Sequence, residues 1–168
     1  AGSTLTAQQP ENNIVRVALQ ALSAILGGVQ SFHTAAYDEA LALPSERSAL
    51  LALRTQQVLA FESGVGDVID PLGGSYYVES LTNELAKKAW AHIQEIEELG
   101  GMAKAIEAGI PKLRIEESTA KTQARIDTGQ QTVVGVNKYL NPAVDDIPML
   151  KVDNAEVRAR QIEKLERL

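Results

Sequence analysis

The stretch that most constrains the fold covers residues 29–44, VQSFHTAAYDEALALP. It follows a glycine pair, passes through His33 and Thr34, and reaches two adjacent carboxylates, Asp38 and Glu39. We expect a short strand over 29–34, a polar loop, and then a helix. That order places polar side chains at the carboxyl end of a β-strand in α/β proteins. The sequence therefore predicts part of a site here, with scaffold on either side of it.

Helical periodicity covers most of the remaining chain. The spacing of apolar residues predicts a first helix with a buried face formed by Val15, Ala18, Leu19, Leu22, Ile25 and Leu26. Ser45 is expected to cap a second helix. The buried face of that helix is predicted to consist of Leu51, Ala52, Thr55, Val58 and Leu59. Further helices are predicted at about 81–99, 102–108 and 112–127, and a last one is capped by Asn154.

Short β-branched or apolar runs alternate with these helices. We expect strands near 5–6 and over 29–34, 67–70 and 132–136. Alternation of strands with helices predicts an α/β fold with parallel strands and crossover helices. Only two or three such units are present, too few to close an eight-stranded barrel, so the other strands must come from elsewhere.

Composition excludes several classes of function. The net charge of -6 and the absence of a basic stripe disfavour nucleic acid or an anionic membrane as partners. Apolar stretches are broken by polar residues within a few positions, so we expect no membrane span. The chain has no cysteine, which fits a reducing compartment, and we expect the cytoplasm or an equivalent matrix. Its opening, AGSTLTAQ, lacks a methionine, and we expect a fragment of a longer protein.

Candidate chemistry is sparse. Neither His33 nor His92 has other ligands at metal spacing, so we expect no metal site and a hydrogen-bonded structural role for His33. Asp38 and Glu39 fit an acid/base pair, a helix cap or a solvated face, and the residues alone leave these alternatives open. Ser31 lies near His33 but lacks a third group to orient the imidazole. From the residues alone no reaction follows.

Several long stretches carry a resemblance to a known family. They are, in chain order, AGSTLTAQQPENNIVRVALQAL, GGVQSFHTAAYDEALALPSE, ALRTQQVLAFESGV, DPLGGSYYVESLTNELA, GGMAKAIEAGIPKLRIEESTAKTQARIDTG and VVGVNKY. The chain resembles the large, catalytic subunit of methylmalonyl-CoA mutase and its adenosylcobalamin-dependent acyl-CoA mutase relatives almost from end to end. Because these long stretches occur in the same order as in the family, the resemblance is more specific than any single motif.

The resemblance implies a fold and a chemistry. The fold is the C-terminal portion of a (β/α)8 TIM barrel followed by a helical linker segment. We expect the last βα units over 1–100, a helical extension with a short strand over 101–140, and a linker with a terminal helix over 141–168. The implied reaction is radical isomerisation of the carbon skeleton of an acyl-CoA, with adenosylcobalamin as the cofactor. The implied partners are the remaining barrel and a cobalamin-binding domain or subunit, in an oligomer.

The resemblance also implies roles for single residues. Gln30 matches a glutamine that lines the active-site side, and Glu39 matches a glutamate that binds the adenosyl ribose. Ala40 and Leu43 lie in the same cofactor-facing loop. The chain departs from the family at Ala35, where an asparagine is usual, and at Ser3, where a tryptophan is usual. These two changes suit an isobutyryl-CoA or 2-hydroxyisobutyryl-CoA mutase at least as well as a methylmalonyl-CoA mutase.

Other parts of the family pattern are absent. The cobalamin-binding signature Asp-x-His-x-x-Gly does not occur in this chain. In the family, the aromatic and arginine residues that bind the acyl-CoA and the catalytic histidine lie upstream of the part that this chain resembles. We therefore expect no catalytic residue in this chain and no activity from it alone. The alternative is a non-catalytic piece that associates through the open face of the missing barrel. A stand-alone binder of small molecules is a third hypothesis.

Overall fold

The computed structural model describes residues 2–142 and 147–167. Ala1, Leu168 and residues 143–146, which belong to the first and last of the three predicted ranges, lie outside the described residues. A 3₁₀ turn over Gly2–Thr4 precedes six helices: α1 Asn12–Leu26, α2 Glu46–Glu62, α3 Tyr76–Glu98, α4 Met102–Glu107, α5 Ile110–Asp127 and α6 Asn154–Glu166. All six were predicted, with α3 beginning five residues earlier than expected. The chain forms two compact units, one of residues 1–25, 29–66 and 141–168, the other of residues 26–28 and 67–140.

The predicted strands are wrong: the structure has no strand near 5–6 or over 29–34, 67–70 or 132–136. Residues 31–36 have no regular hydrogen-bonded structure, and 67–70 form bends. Residues 132–136 hold only an isolated parallel bridge between Val134 and Lys138. The physical reason is that a strand exists only when its N–H and C=O groups pair with a neighbouring strand. Residues 2–142 and 147–167 offer no such neighbour to the 31–36 segment, so the α/β barrel portion stays a proposal.

Capping residues explain where the helices begin. Ser45 caps α2 as predicted, because its hydroxyl oxygen accepts a hydrogen bond from the Ser48 N–H. The predicted cap of α6, Asn154, is wrong by one position. Asp153 is the cap, and its carboxylate accepts from the N–H groups of Ala155 and Glu156.

The core of the first unit is small and is built from small side chains. Leu5, Val17 and Ala35 form its buried apolar cluster, which joins the opening segment, α1 and the 31–36 segment. The predicted buried face of α1 is wrong, since Val15 is 61% and Leu19 is 59% exposed. α1 instead buries Asn13, Val17 and Ala21, on the face that contacts the opening segment and residues 35–37. Its large aliphatic side chains are left uncovered.

The second unit is a run of three helices separated by glycines. Gly101 precedes α4 with φ 96° and Gly109 precedes α5 with φ 74°, backbone angles that favour glycine. Arg114 of α5 donates a hydrogen bond to the Glu95 carboxylate of α3 at 2.5 Å. That hydrogen bond lowers the pKa of Glu95 from its ordinary value and raises the pKa of Arg114. α3 contains no buried residue, and Ala105 of α4 is the buried apolar side chain that the described part of this unit provides.

Candidate functional site

The 31–36 segment lies between α1 and α2, with a cleft on each side. The cleft on the α1 side has a volume of about 120 Å³ and is lined by Gln20, Ala24 and Phe32 among others. The cleft on the α2 side has a volume of about 190 Å³ and is lined by Pro44 and Leu53 among others. His33 and Thr34 line both clefts. The segment is therefore flanked by open space along its length.

Thr34 fastens this segment to α2. Its buried hydroxyl donates a hydrogen bond to the Ala52 carbonyl at 2.9 Å and accepts one from Gln56 Nε2 at 2.9 Å. Both partners lie on one side of α2, one helical turn apart. The hydroxyl thus sets the position of the segment along α2.

Asn13 fastens the next loop to α1. Its side-chain amide is fully buried and donates to the Thr6 carbonyl at 2.9 Å and to the Tyr37 carbonyl at 2.8 Å. Its Oδ1 accepts from the Thr6 N–H at 3.1 Å and from Arg16 Nη1 at 2.7 Å. Thr6 N–H and the guanidinium are donors only, so the oxygen must face them and the NH₂ must face the two carbonyls. One amide therefore joins the opening segment, α1 and residue 37.

Asp38 and Glu39 have different environments, although they are adjacent. Asp38 is buried, and its Oδ2 accepts from the Ser45 N–H at 3.1 Å, which ties the loop to the start of α2. Its Oδ1 is buried and has no hydrogen-bond partner among the described residues. Glu39 is exposed, and a Cβ built on Gly2 would lie only 2.5 Å from its Oε1. The pair therefore fits neither a shared acid/base site nor a shared cap.

The other residues singled out from the sequence lie around this loop or at its approach. Gln30 is exposed and precedes the 31–36 segment, and it lines neither flanking cleft. Ala40 and Leu43 are exposed, Leu43 by 62%, in the same loop as Glu39. Glu39, Ala40 and Leu43 thus lie in the loop that follows the 31–36 segment, whereas Gln30 lies before that segment.

The histidines are not arranged for metal binding. His33 is exposed and has no hydrogen bond to the described residues, so its predicted hydrogen-bonded role is wrong. His92 is exposed on α3, with Nδ1 3.3 Å from Arg114 Nη1 and 3.8 Å from the Glu95 carboxylate. Within residues 2–142 and 147–167, no group of three or more His, Cys, Asp or Glu side chains is placed to hold a metal ion. In the same ranges no helix has the length and apolar character needed to cross a membrane.

Sequence reasoning missed three residues at this site: Asn13, Gly2 and the Thr34 partner Gln56. Asn13 lies four and eight residues before Val17 and Ala21, on the face that α1 buries. A lone asparagine at helical spacing with small apolar residues was the available signal. Nothing in the sequence could have found Gly2, because its importance depends on a side chain distant in sequence.

Comparison with known proteins assigns the chain. The family model described as methylmalonyl-CoA mutase matches residues 1–168. The methylmalonyl-CoA mutase large subunit of Streptomyces virginiae is 58% identical over 167 residues, which are 99% of this chain and 23% of that protein. The large subunit from Porphyromonas gingivalis is 58% identical over 98% of this chain and 23% of its own length. The mitochondrial methylmalonyl-CoA mutase of Macaca fascicularis is 54% identical over 99% and 22%.

These relatives are mutases, which are isomerases. The chain belongs to the methylmalonyl-CoA mutase family, as the resemblance predicted. It spans about a quarter of the length of the curated relatives that it matches.

Proposed function

We propose that this chain is one part of an adenosylcobalamin-dependent acyl-CoA mutase and that its loop of residues 37–43 receives the adenosyl ribose. The observation that carries the proposal is the state of the Glu39 carboxylate. It is exposed, and no described residue donates a hydrogen bond to it, while both residues before it are anchored. Such a carboxylate stands on an anchored stretch of backbone and keeps its acceptor oxygens for a ligand.

The residues of the loop fit a ribose. A carboxylate accepts hydrogen bonds from two neighbouring hydroxyls at once, one on each oxygen. Gly2 leaves room for the Glu39 carboxylate, since a Cβ there would lie 2.5 Å from Oε1. Ala40 and Leu43 are exposed in the same loop and would offer apolar surface to the adenine. Gln30, with one acceptor and two donors, would serve the active-site side of the complete barrel.

When bound, adenosylcobalamin supplies the radical chemistry of the carbon-skeleton rearrangement. The contribution of this chain is to bind and orient the adenosyl group. The cobalt-binding domain and the residues that bind the acyl-CoA belong to other parts of the enzyme. We propose either methylmalonyl-CoA and succinyl-CoA or isobutyryl-CoA and 2-hydroxyisobutyryl-CoA as the class of substrate. Ala35 is buried and has no polar atom on its side chain, so it offers nothing to a ribose. We also propose the cytoplasm or an equivalent matrix as the location.

Uncovered apolar surface supports a longer parent enzyme. Large apolar side chains such as Leu19 on α1 and Trp90 on α3 are each about 60% exposed. In the parent enzyme the remaining barrel strands would flank the 31–36 segment and cover these faces.

The proposal is tested by replacing Glu39 with glutamine in the parent enzyme. The substitution keeps the shape of the side chain and one acceptor but removes the charge. A hydrogen bond to a charged group contributes about 1.5–3 kcal/mol, so we expect adenosylcobalamin to bind at least about 10-fold more weakly. Methylcobalamin has no adenosyl group and should bind with unchanged affinity. Absorbance titration measures the affinity for each cobalamin. Equal affinities of the wild-type enzyme and the Glu39→Gln variant for adenosylcobalamin would refute the role of Glu39.

The second candidate function is association without catalysis. The uncovered faces of α1 and α3 favour it, because apolar surface of this extent is normally buried against a partner. The surface that we propose for this association is the open face left by the missing barrel strands. Light scattering of the isolated chain should then give dimers or larger species, and a monodisperse monomer would count against this reading.

A further inference from the structure

We infer that Asn13 is a positioning residue for Glu39: it joins the opening segment, residues 2–6, to the loop of residues 37–43 and so holds the carboxylate where the adenosyl ribose is received. The inference rests on the proposed function of Glu39. It concerns a residue of α1 that has no contact with the cofactor in that proposal.

The first support is that Asn13 uses its full hydrogen-bonding capacity. A side-chain amide has two donor hydrogens and an oxygen with two acceptor positions, and all four are paired here. The side chain pairs with both the N–H and the C=O of Thr6, as one peptide group pairs with another. Its second N–H reaches the Tyr37 carbonyl, 24 residues away. A buried polar group that is fully paired in this way rigidifies its surroundings.

The second support is that the two segments joined by Asn13 meet again at Glu39. Gly2 belongs to the opening segment, and the Glu39 Oε1 lies close enough to exclude a Cβ at that position. Tyr37 is two residues before Glu39 and is held directly by Asn13. The amide therefore sets the distance between the segment that borders the carboxylate and the loop that carries it.

The third support is that neither aspartate nor alanine reproduces these four bonds. Aspartate has the same shape but no donor, so both carbonyls would face a carboxylate. Alanine removes all four bonds. Asp38 would still bind the Ser45 N–H in either variant, so the loop stays attached to α2 at one end. The expected consequence is a displaced Glu39 in a folded protein.

The experiment compares Asn13→Ala and Asn13→Asp with a matched control in the parent enzyme. The control is Asn12→Ala on the same helix, because among the described residues the Asn12 amide hydrogen-bonds only to the neighbouring Gln9 side chain, at 3.1 Å. Affinities for adenosylcobalamin and methylcobalamin are measured by absorbance titration. Hydrogen exchange of residues 37–43 is measured in the cobalamin-free protein, which reports on the loop without any cofactor.

We expect both Asn13 variants to bind adenosylcobalamin about 10-fold more weakly, to bind methylcobalamin within twofold of the wild type, and to exchange faster in the loop. Asn12→Ala should match the wild type in all three. Equal weakening towards both cobalamins would overturn the inference, because the role would then be in folding alone. Unchanged affinities would overturn it too. If Glu39→Gln binds adenosylcobalamin normally, the proposed function fails instead, and this inference falls with it.

Discussion

The hydroxyl of Thr34 provides the sharpest test of how the 31–36 segment is held. Thr34→Val keeps the shape of the side chain and removes its one polar atom. The hydroxyl is buried and makes two hydrogen bonds of 2.9 Å, to the Ala52 carbonyl and from Gln56 Nε2. Each contributes about 1 kcal/mol net, so the segment should be held about 2 kcal/mol less strongly. That corresponds to an opening equilibrium roughly 30-fold larger.

Hydrogen-exchange mass spectrometry of the parent enzyme measures this opening for peptides that cover residues 31–36. The matched control is Thr55→Val on α2, where the hydroxyl donates to the Leu51 carbonyl of its own helix at 3.0 Å and has no other hydrogen bond among the described residues. We expect that change to alter exchange in the segment by less than about twofold, because it removes no bond between elements. If Thr34→Val accelerates exchange no more than Thr55→Val does, the hydroxyl does not hold the segment.

Three further predictions concern single residues. Gly2→Ala should weaken adenosylcobalamin binding by the parent enzyme with little change in melting temperature, because the new Cβ displaces the mobile end of the Glu39 side chain. Since the hydrogen bond from Arg114 lowers the pKa of Glu95, the tie between α3 and α5 should be present above the ordinary value of 4.5 and be lost as pH falls through the lowered value. An NMR titration checks this, and Arg114→Gln should return the Glu95 pKa towards 4.5. Gly109→Ala should destabilise the start of α5 by about 1 kcal/mol, measured by denaturant unfolding, because φ is 74° there.

The helices could be predicted because their signals are local. Periodicity and the cap at Ser45 act within a few residues of where they stand. The cap of α6 was placed one residue late, because Asp153 and Asn154 are both good capping residues and only geometry chooses between them.

Strands and the buried face of α1 could not be predicted in the same way, because both depend on what packs against them. The 29–34 run has the composition of a strand but lacks a neighbour to pair with. The aliphatic stripe that includes Leu19 marks a face made for burial, yet the described residues cover the opposite face, where Asn13 lies. We interpret the mismatch as the result of seeing one part of a larger domain.

The candidate site was predicted in part. The sequence pointed to the loop after residue 34, and the resemblance singled out Glu39 within it. The network that supports the loop was invisible, because Asn13 and Tyr37 are 24 residues apart and only the fold brings them together. Two adjacent carboxylates likewise gave no hint that Asp38 would be buried and Glu39 exposed.

The most direct test of the account is turnover by the parent enzyme. Purified with adenosylcobalamin, it should be offered methylmalonyl-CoA, isobutyryl-CoA and 2-hydroxyisobutyryl-CoA in turn, with the products separated and identified by mass spectrometry against authentic isomers. The account predicts carbon-skeleton isomerisation of at least one of the three and a clear loss of that activity in Glu39→Gln at limiting cofactor. An enzyme that binds adenosylcobalamin and isomerises none of them would contradict it.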